Sequence, residues 1–201
     1  MSARGSTRTA MLVSAAGLLR ERGAAGVTID EVLARSGAPR GSVYHHFPAG
    51  RSQILREALQ FAGQEITAKI DAAAGDSAAA LLHQFVAMWG EALIESDYTA
   101  GCPVLAAAIG SGQDEQQLTA LAGSILGRWR DAAKQAYIRE GFGPNEAGAL
   151  ADTAIAALEG AVVLCRSTRS LEPLNGIAGQ LEFLIRAREF VDRFGVPPPT
   201  A

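Results

Sequence analysis

Apolar residues recur every third or fourth position along nearly the whole chain, and strand-like alternation is absent. Leu12, Ala15, Ala16 and Leu19 form a first stripe, Ile29, Val32 and Leu33 a second, and Val43 with Phe47 a short third. A long helix is predicted from about residue 50 to 75, and another, capped by Asp76 or Ser77, runs to about 96. The second carries Leu81, Leu82, Phe85, Met88, Trp89, Ala92 and Leu93 on one stripe. Gly101-Cys102-Pro103 opens a short helix, and a Gly-Ser-Gly-Gln loop follows. Asp114 starts a helix to about 140 with Leu118, Leu121, Ile125, Trp129 and Ala136 inward. Two more helices are expected at about 145–167 and 173–194. The pattern predicts an all-α protein of about nine helices.

Residues 28–47 carry the most specific local signal. Thr28 followed by Glu31 is a capping box that starts a helix. Gly37 can take the left-handed conformation that stops it. Pro39 fits the first turn of a second helix, and Pro48 ends that helix. Val43 and Phe47 lie one turn apart and face inward, leaving Arg40, Gly41, Ser42, Tyr44 and His45 outside. Two short helices about a tight turn, the second with a polar and basic outer face, make a helix-turn-helix that presents one helix to the major groove of DNA. Arg40 suits a guanine edge or a phosphate, Ser42, Tyr44 and His45 can donate to phosphate oxygens, and Gly41 lets the backbone approach.

Residues 8–59 resemble the N-terminal domain of TetR-type transcriptional repressors. The likeness rests on the first stripe, on Gly23 and Gly26 around the following loop, and on the run from Thr28 to Phe47 ending Gly-Ser-Val-Tyr-His-His-Phe. The resemblance implies a DNA-binding domain at 1–50 and an effector-binding and dimerisation domain at 51–201. It also implies that Arg51 stands where the family has a phosphate-touching Lys. The expected DNA-binding set is Thr28, Arg40, Gly41, Ser42, Tyr44, His45, His46 and Arg51. The chain departs from the family pattern at Pro39, where a Ser usually caps the helix, at Asp30, which cannot bind phosphate, and at Pro48-Ala49-Gly50, one residue longer than the common spacing. Gly101-Cys102-Pro103 further resembles a branch whose members sense small, often aromatic compounds.

Charge agrees with a DNA-binding end. The 201 residues carry a net charge of −3, yet residues 1–56 hold eight arginines against three acids, a net of +5. The remainder holds ten basic residues against eighteen acids, a net of −8. A basic end on an acidic body suits a protein that grips a polyanion on one side. Cys102 and Cys165 stand apart from any Cys/His cluster, so neither a zinc site nor another metal or cofactor is indicated. The N-terminus lacks the apolar core of a signal peptide. The longest apolar stretch, residues 154–165, is too short to cross a bilayer and contains Glu159. A cytoplasmic protein without a membrane partner is expected.

The two last helices are more apolar than one subunit needs. The expected stripe of Ile177, Leu181, Leu184 and Ile185 serves the core, and Phe183, Ala187 and Phe190 seek a partner. A homodimer is expected through these helices, with Ile155, Leu158, Val162, Phe183, Ala187 and Phe190 at the interface. Its two-fold axis suits a palindromic operator. Phe85, Met88, Trp89, Tyr98, Cys102, Trp129 and Tyr137 are the candidates to line a small-molecule effector site. The resulting expectation is a ligand-responsive repressor. The alternatives are a DNA-binding protein without effector control and a small helical enzyme. For the enzyme, no nucleophile, paired carboxylates or phosphate loop converge, and His83 stands alone.

Overall fold

The computed structural model describes residues 3–110 and 116–195. Most of the Gly-Ser-Gly-Gln loop, the helix start expected at Asp114 and the proline-rich tail after Gly195 lie outside these residues. Among those described there are nine α-helices and no strand. They are α1 (Ala3–Arg22), α2 (Ile29–Ser36), α3 (Ser42–His46), α4 (Gly50–Asp76), α5 (Ala78–Glu95), α6 (Pro103–Ala108), α7 (Gln116–Arg139), α8 (Pro144–Thr168) and α9 (Glu172–Phe194). A single 3-10 turn, Ala24–Gly26, joins α1 to α2. The boundaries follow the periodicity closely, except that α3 begins at Ser42, three residues after Pro39.

The chain divides into two compact units, one of residues up to 67 with 99–127, the other of residues 68–98 with 128 onward. The division expected at residue 50 therefore falls inside the first unit. The reason lies in α1, which packs on both α2 and α6. Its buried stripe (Met11, Leu12, Ala15, Ala16, Leu18 and Leu19) is too broad for α2 alone to cover. Gly101 N–H donates to the Arg20 carbonyl at 3.0 Å, and Arg20 Nε donates back to the Gly101 carbonyl at 3.3 Å, fixing the entry to α6. Cys102 Sγ then accepts from Leu105 N–H at 3.4 Å, with Pro103 at the first helical position.

Local signals set α2. The Thr28 hydroxyl accepts from Glu31 N–H at 3.2 Å, while the Glu31 carboxylate turns to Arg22 at 2.5 Å, so only half of the capping box closes. Gly37 ends the helix at φ +66°, a conformation costly for any residue with a Cβ. Arg35 forks onto Glu21 of α1 at 2.7 and 2.8 Å, tying the two helices together.

In the second unit α5, α8 and α9 pack on one another. Ser77 caps α5 by accepting from Ala80 N–H at 2.9 Å, and the Glu140 carboxylate accepts from Ala78 N–H at 3.1 Å. Trp89, Leu93, Leu158, Val162, Leu174, Leu181 and Ile185 fill the core. By composition and length alone α8 could cross a bilayer. In this fold its inner face, from Ala147 to Cys165, is buried in protein, together with the charged Glu159. A stripe of that kind is what a core helix needs.

The Glu21–Arg35 pair makes a pH prediction. The guanidinium, hydrogen-bonded to Glu21, holds its carboxyl below the usual range. A depressed folded-state value contributes stability above the unfolded value, and that stability is lost as pH falls through the folded one. Arg35→Ala is expected to cost at most about 1 kcal/mol at neutral pH, because the pair is partly exposed. Denaturant melts of variant and wild type should show this difference shrinking steadily below about pH 4.

Candidate nucleic-acid interface and effector cavity

The helix α3 is built from its underside. Val43 and Phe47 are fully buried, and Arg8 of α1 lies over the Phe47 ring at 5.1 Å. The Pro39 carbonyl accepts from both Ser42 N–H (2.9 Å) and Ser42 Oγ (2.6 Å), making up for the side-chain cap that proline lacks. The Ser42 hydroxyl thus helps build the helix start. On the outer side Tyr44 is 64% exposed, and His45 is exposed with its ring 5.0 Å from that of the half-buried His46. Gly41 leaves open space above the backbone. Arg40 is exposed and reaches Asp30, at the start of α2, at 3.6 Å. Thr28 is exposed at the N-cap of the same helix.

Arg51 departs from expectation. Its Nε donates to the Val27 carbonyl at 2.7 Å and its Nη2 to the Ala24 carbonyl at 2.6 Å. Both acceptors belong to the turn between α1 and α2, so the guanidinium is turned to the protein's own backbone. The longer Pro48-Ala49-Gly50 connection starts α4 at Gly50, leaving Arg51 in its first turn. Beside it, Ala49 N–H donates to Gln53 Oε1 (3.0 Å), Gln53 Nε2 donates to Glu57 (3.0 Å), and Glu57 pairs with Arg8.

Of the seven effector-site candidates, Phe85, Trp129 and Tyr137 share one cavity. Its volume is about 40 Å³, and Ile70, Leu82, Ala133, Ala154, Ile155 and Leu158 complete most of its wall. Trp89 is buried with its ring 5.9 Å from Phe85, and Met88 is half-buried on the same helix. Tyr98 lies instead in a left-handed turn after α5, with Arg169 over its ring at 5.8 Å, and Cys102 caps α6 in the first unit. Both follow α5 closely in sequence, but the helix ends at its C-cap Ser96. No charged residue lines the cavity, and burial pushes the Tyr137 phenol up to about 12, so it stays protonated. The wall residues missed in the sequence, Ile70 and Ala133, carry no signal beyond ordinary core composition.

The dimer-face expectation is corrected on α8. Leu158 and Val162 are 5% and 1% exposed within the protomer, and Ile155 and Leu158 line the cavity. A helix apolar nearly all round gives no phase from periodicity alone. The outward face carries Ala156, Gly160, Val163 and Leu164. On α9 Phe183, Phe190 and Phe194 are exposed, as is Leu184, expected inside, while Leu181 and Ile185 are buried. Ala187 is half-buried beside a surface groove that Leu184 and Val191 also line.

A paired α2–α3 with a polar, exposed outer helix face and a separate all-helical unit carrying an apolar cavity defines a helix-turn-helix regulator. The sequence model described as bacterial regulatory proteins of the tetR family matches residues 11–58, and that of the LmrA/YxaF-like regulator C-terminal domain matches residues 78–180. The HTH-type transcriptional regulator Rv0196 of Mycobacterium tuberculosis is 42% identical over 185 residues, covering 90% of this chain and 94% of that protein. YxaF of Bacillus subtilis is 24% identical, covering 94% and 100%. In fold, the chain is similar to a TetR regulatory protein from Rhodobacter sphaeroides, with TM-score 0.78 at 20% identity over 87% of this chain and 96% of that one. The chain belongs to the TetR family of transcriptional regulators. Regulators of this family bind DNA and act as dimers.

Asp30 bears on how the helix pair meets a polyanion. It places a negative charge next to Arg40 on the exposed side of the helix pair, and a pair this exposed adds little stability. Asp30→Asn is expected to leave the thermal midpoint unchanged and to strengthen binding to duplex DNA several-fold at low salt, by removing a like charge from the approach of phosphate. Fluorescence anisotropy over a salt series measures it.

Proposed function

We propose that this protein is a ligand-responsive repressor, released from a palindromic operator by a small, uncharged, apolar or aromatic effector. The observation that carries the reading is the cavity in the second unit. It combines Phe85 and Trp129 with a single protonated phenol, Tyr137, and has no charged wall. A charged effector would lose its hydration there without a partner. A flat, neutral one can stack on the rings and exchange one hydrogen bond with the phenol.

The cavity's size bears on the mechanism. About 40 Å³ holds little more than water, whereas ligand pockets usually span roughly 300–1,000 Å³. An effector therefore has differential affinity for a second, wider state, which is the requirement for shifting a conformational equilibrium. Ile70 of α4 lines the cavity, and the same helix starts at Gly50 directly after the reading helix. Displacement of α4 by the effector would move the two reading helices of a dimer out of register with successive major grooves.

The dimer in this reading forms through α8 and α9. Ala156 and Gly160 permit close helix approach, and Val163, Leu164, Phe183, Phe190 and Phe194 supply apolar area. Thr28, Arg40, Gly41, Tyr44, His45 and His46 form the proposed DNA face, working in the cytoplasm beside the chromosome. The Gly101-Cys102-Pro103 sequence fits a sensor of small aromatic compounds only by resemblance, because Cys102 is a buried helix cap.

Tyr44→Ala and Arg40→Ala are each expected to abolish most binding to the chain's own upstream region while leaving the dimer folded. Unchanged affinity in both would reject the DNA face. Binding of equal strength to any duplex, with steep salt dependence, would favour a DNA-binding protein without sequence choice. For effector control, compounds that raise the thermal midpoint are selected first. Operator DNA must then weaken their binding by the same factor by which they weaken operator binding. Trp129→Ala is expected to remove the thermal shift, and a selected compound whose affinity ignores the operator would defeat the mechanism.

A further inference from the structure

We propose that Arg51 is a positioning residue for DNA binding, holding the start of α4 to the turn before α2 rather than touching phosphate. The inference rests on the DNA-reading role of α3, and Arg40→Ala tests that role separately.

Arg51 uses two of its donors on carbonyls of one short turn, Val27 at 2.7 Å and Ala24 at 2.6 Å. Both carbonyls lie just before the N-cap of α2; that of Ala24 also closes the turn by accepting from Val27 N–H at 3.1 Å. A forked guanidinium can serve both at once, a geometry that a single ammonium point charge does not reproduce. The turn is also tightly held from its other side. A Cβ on Gly26 would lie 2.4 Å from the Arg22 Cβ, so the turn is seated directly against α1. Thr28 follows Val27 directly and α2 begins at Ile29, so the clamp fixes the start of α2 relative to α4.

A second set of bonds acts at the other end of the reading helix. Ala49 N–H, just beyond α3, is bonded to Gln53, Gln53 to Glu57, and Glu57 to Arg8, which covers Phe47. The first two turns of α4 are thus bonded to the chain both before α2 and after α3. Any displacement of α4 carries the pair as one body, and Arg51 is the group that couples α4 to α2.

The test uses the full chain and a duplex selected by it from a random-sequence pool. Arg51→Ala and Arg51→Lys are compared with wild type by anisotropy over a salt series, and by amide hydrogen exchange at residues 24–32 without DNA. Positioning predicts affinity for the selected duplex reduced roughly tenfold or more in Arg51→Ala, as two charge-assisted bonds are lost. It predicts an unchanged slope of log affinity against log salt, faster exchange at 24–32, and incomplete rescue by Lys. A phosphate contact predicts a slope shallower by about 0.9 per subunit in Arg51→Ala, with slope and affinity both restored by Lys, and exchange unaltered. That outcome overturns the proposal, as does unchanged affinity in both variants. If Arg51→Ala does not fold, Arg51→Lys decides alone. It keeps the charge but not the fork, so wild-type affinity and exchange in that variant also overturn the proposal.

Discussion

A helix of five residues cannot hold itself together in water, because nucleation costs more than so few backbone bonds return. The outer face of α3, the proposed reading surface, exists only because Val43 and Phe47 are buried beneath it and because the Pro39 carbonyl takes both donors of Ser42. Everything outward on α3 depends on that inward packing. Tyr44 and His45 are exposed because the residues on either side of them are anchored. The same logic explains the Arg8 guanidinium over the Phe47 ring, which covers the one large aromatic side chain that the short helix could not shield by itself.

The basic N-terminal end is mostly an internal scaffold. Arg8 pairs with Glu57, Arg22 with Glu31, Arg35 with Glu21, and Arg20 and Arg51 hold backbone carbonyls. Net charge in this region still favours approach to a polyanion, since long-range attraction depends on the sum of charges. Specific contact is another matter. A guanidinium held on a carboxylate or on two carbonyls has its orientation set by the protein rather than by a base edge. Among the side chains of the expected DNA-binding set, Arg40 is the arginine that faces outward, and it does so beside an acid.

The second unit combines two demands on one apolar helix. The inner side of α8 closes a narrow cavity with α5 and α7, while its outer side offers small and branched residues. An effector and a partner subunit would therefore press on opposite faces of a single rigid element.

Much of this was legible in one dimension. Helix number, most boundaries, the Thr28 cap, the left-handed Gly37 and the buried pair Val43 and Phe47 follow from local stereochemistry and a 3.6-residue period, which act within a few residues of each position. The family, too, could be read from Thr28 to Phe47, because the combination of side chains there is rare. The phase of α8 could not be read, since a helix apolar on all sides has no preferred face until neighbours choose one. Leu158 and Val162 therefore turned inward, and Val163 and Leu164 outward. Nor could the partner of Arg51, the place of Cys102 as the cap of α6, or the part of Ile70 in the cavity wall be read. Each depends on which residues, far apart along the chain, packing brings within a few ångströms, and only the tertiary fold decides that.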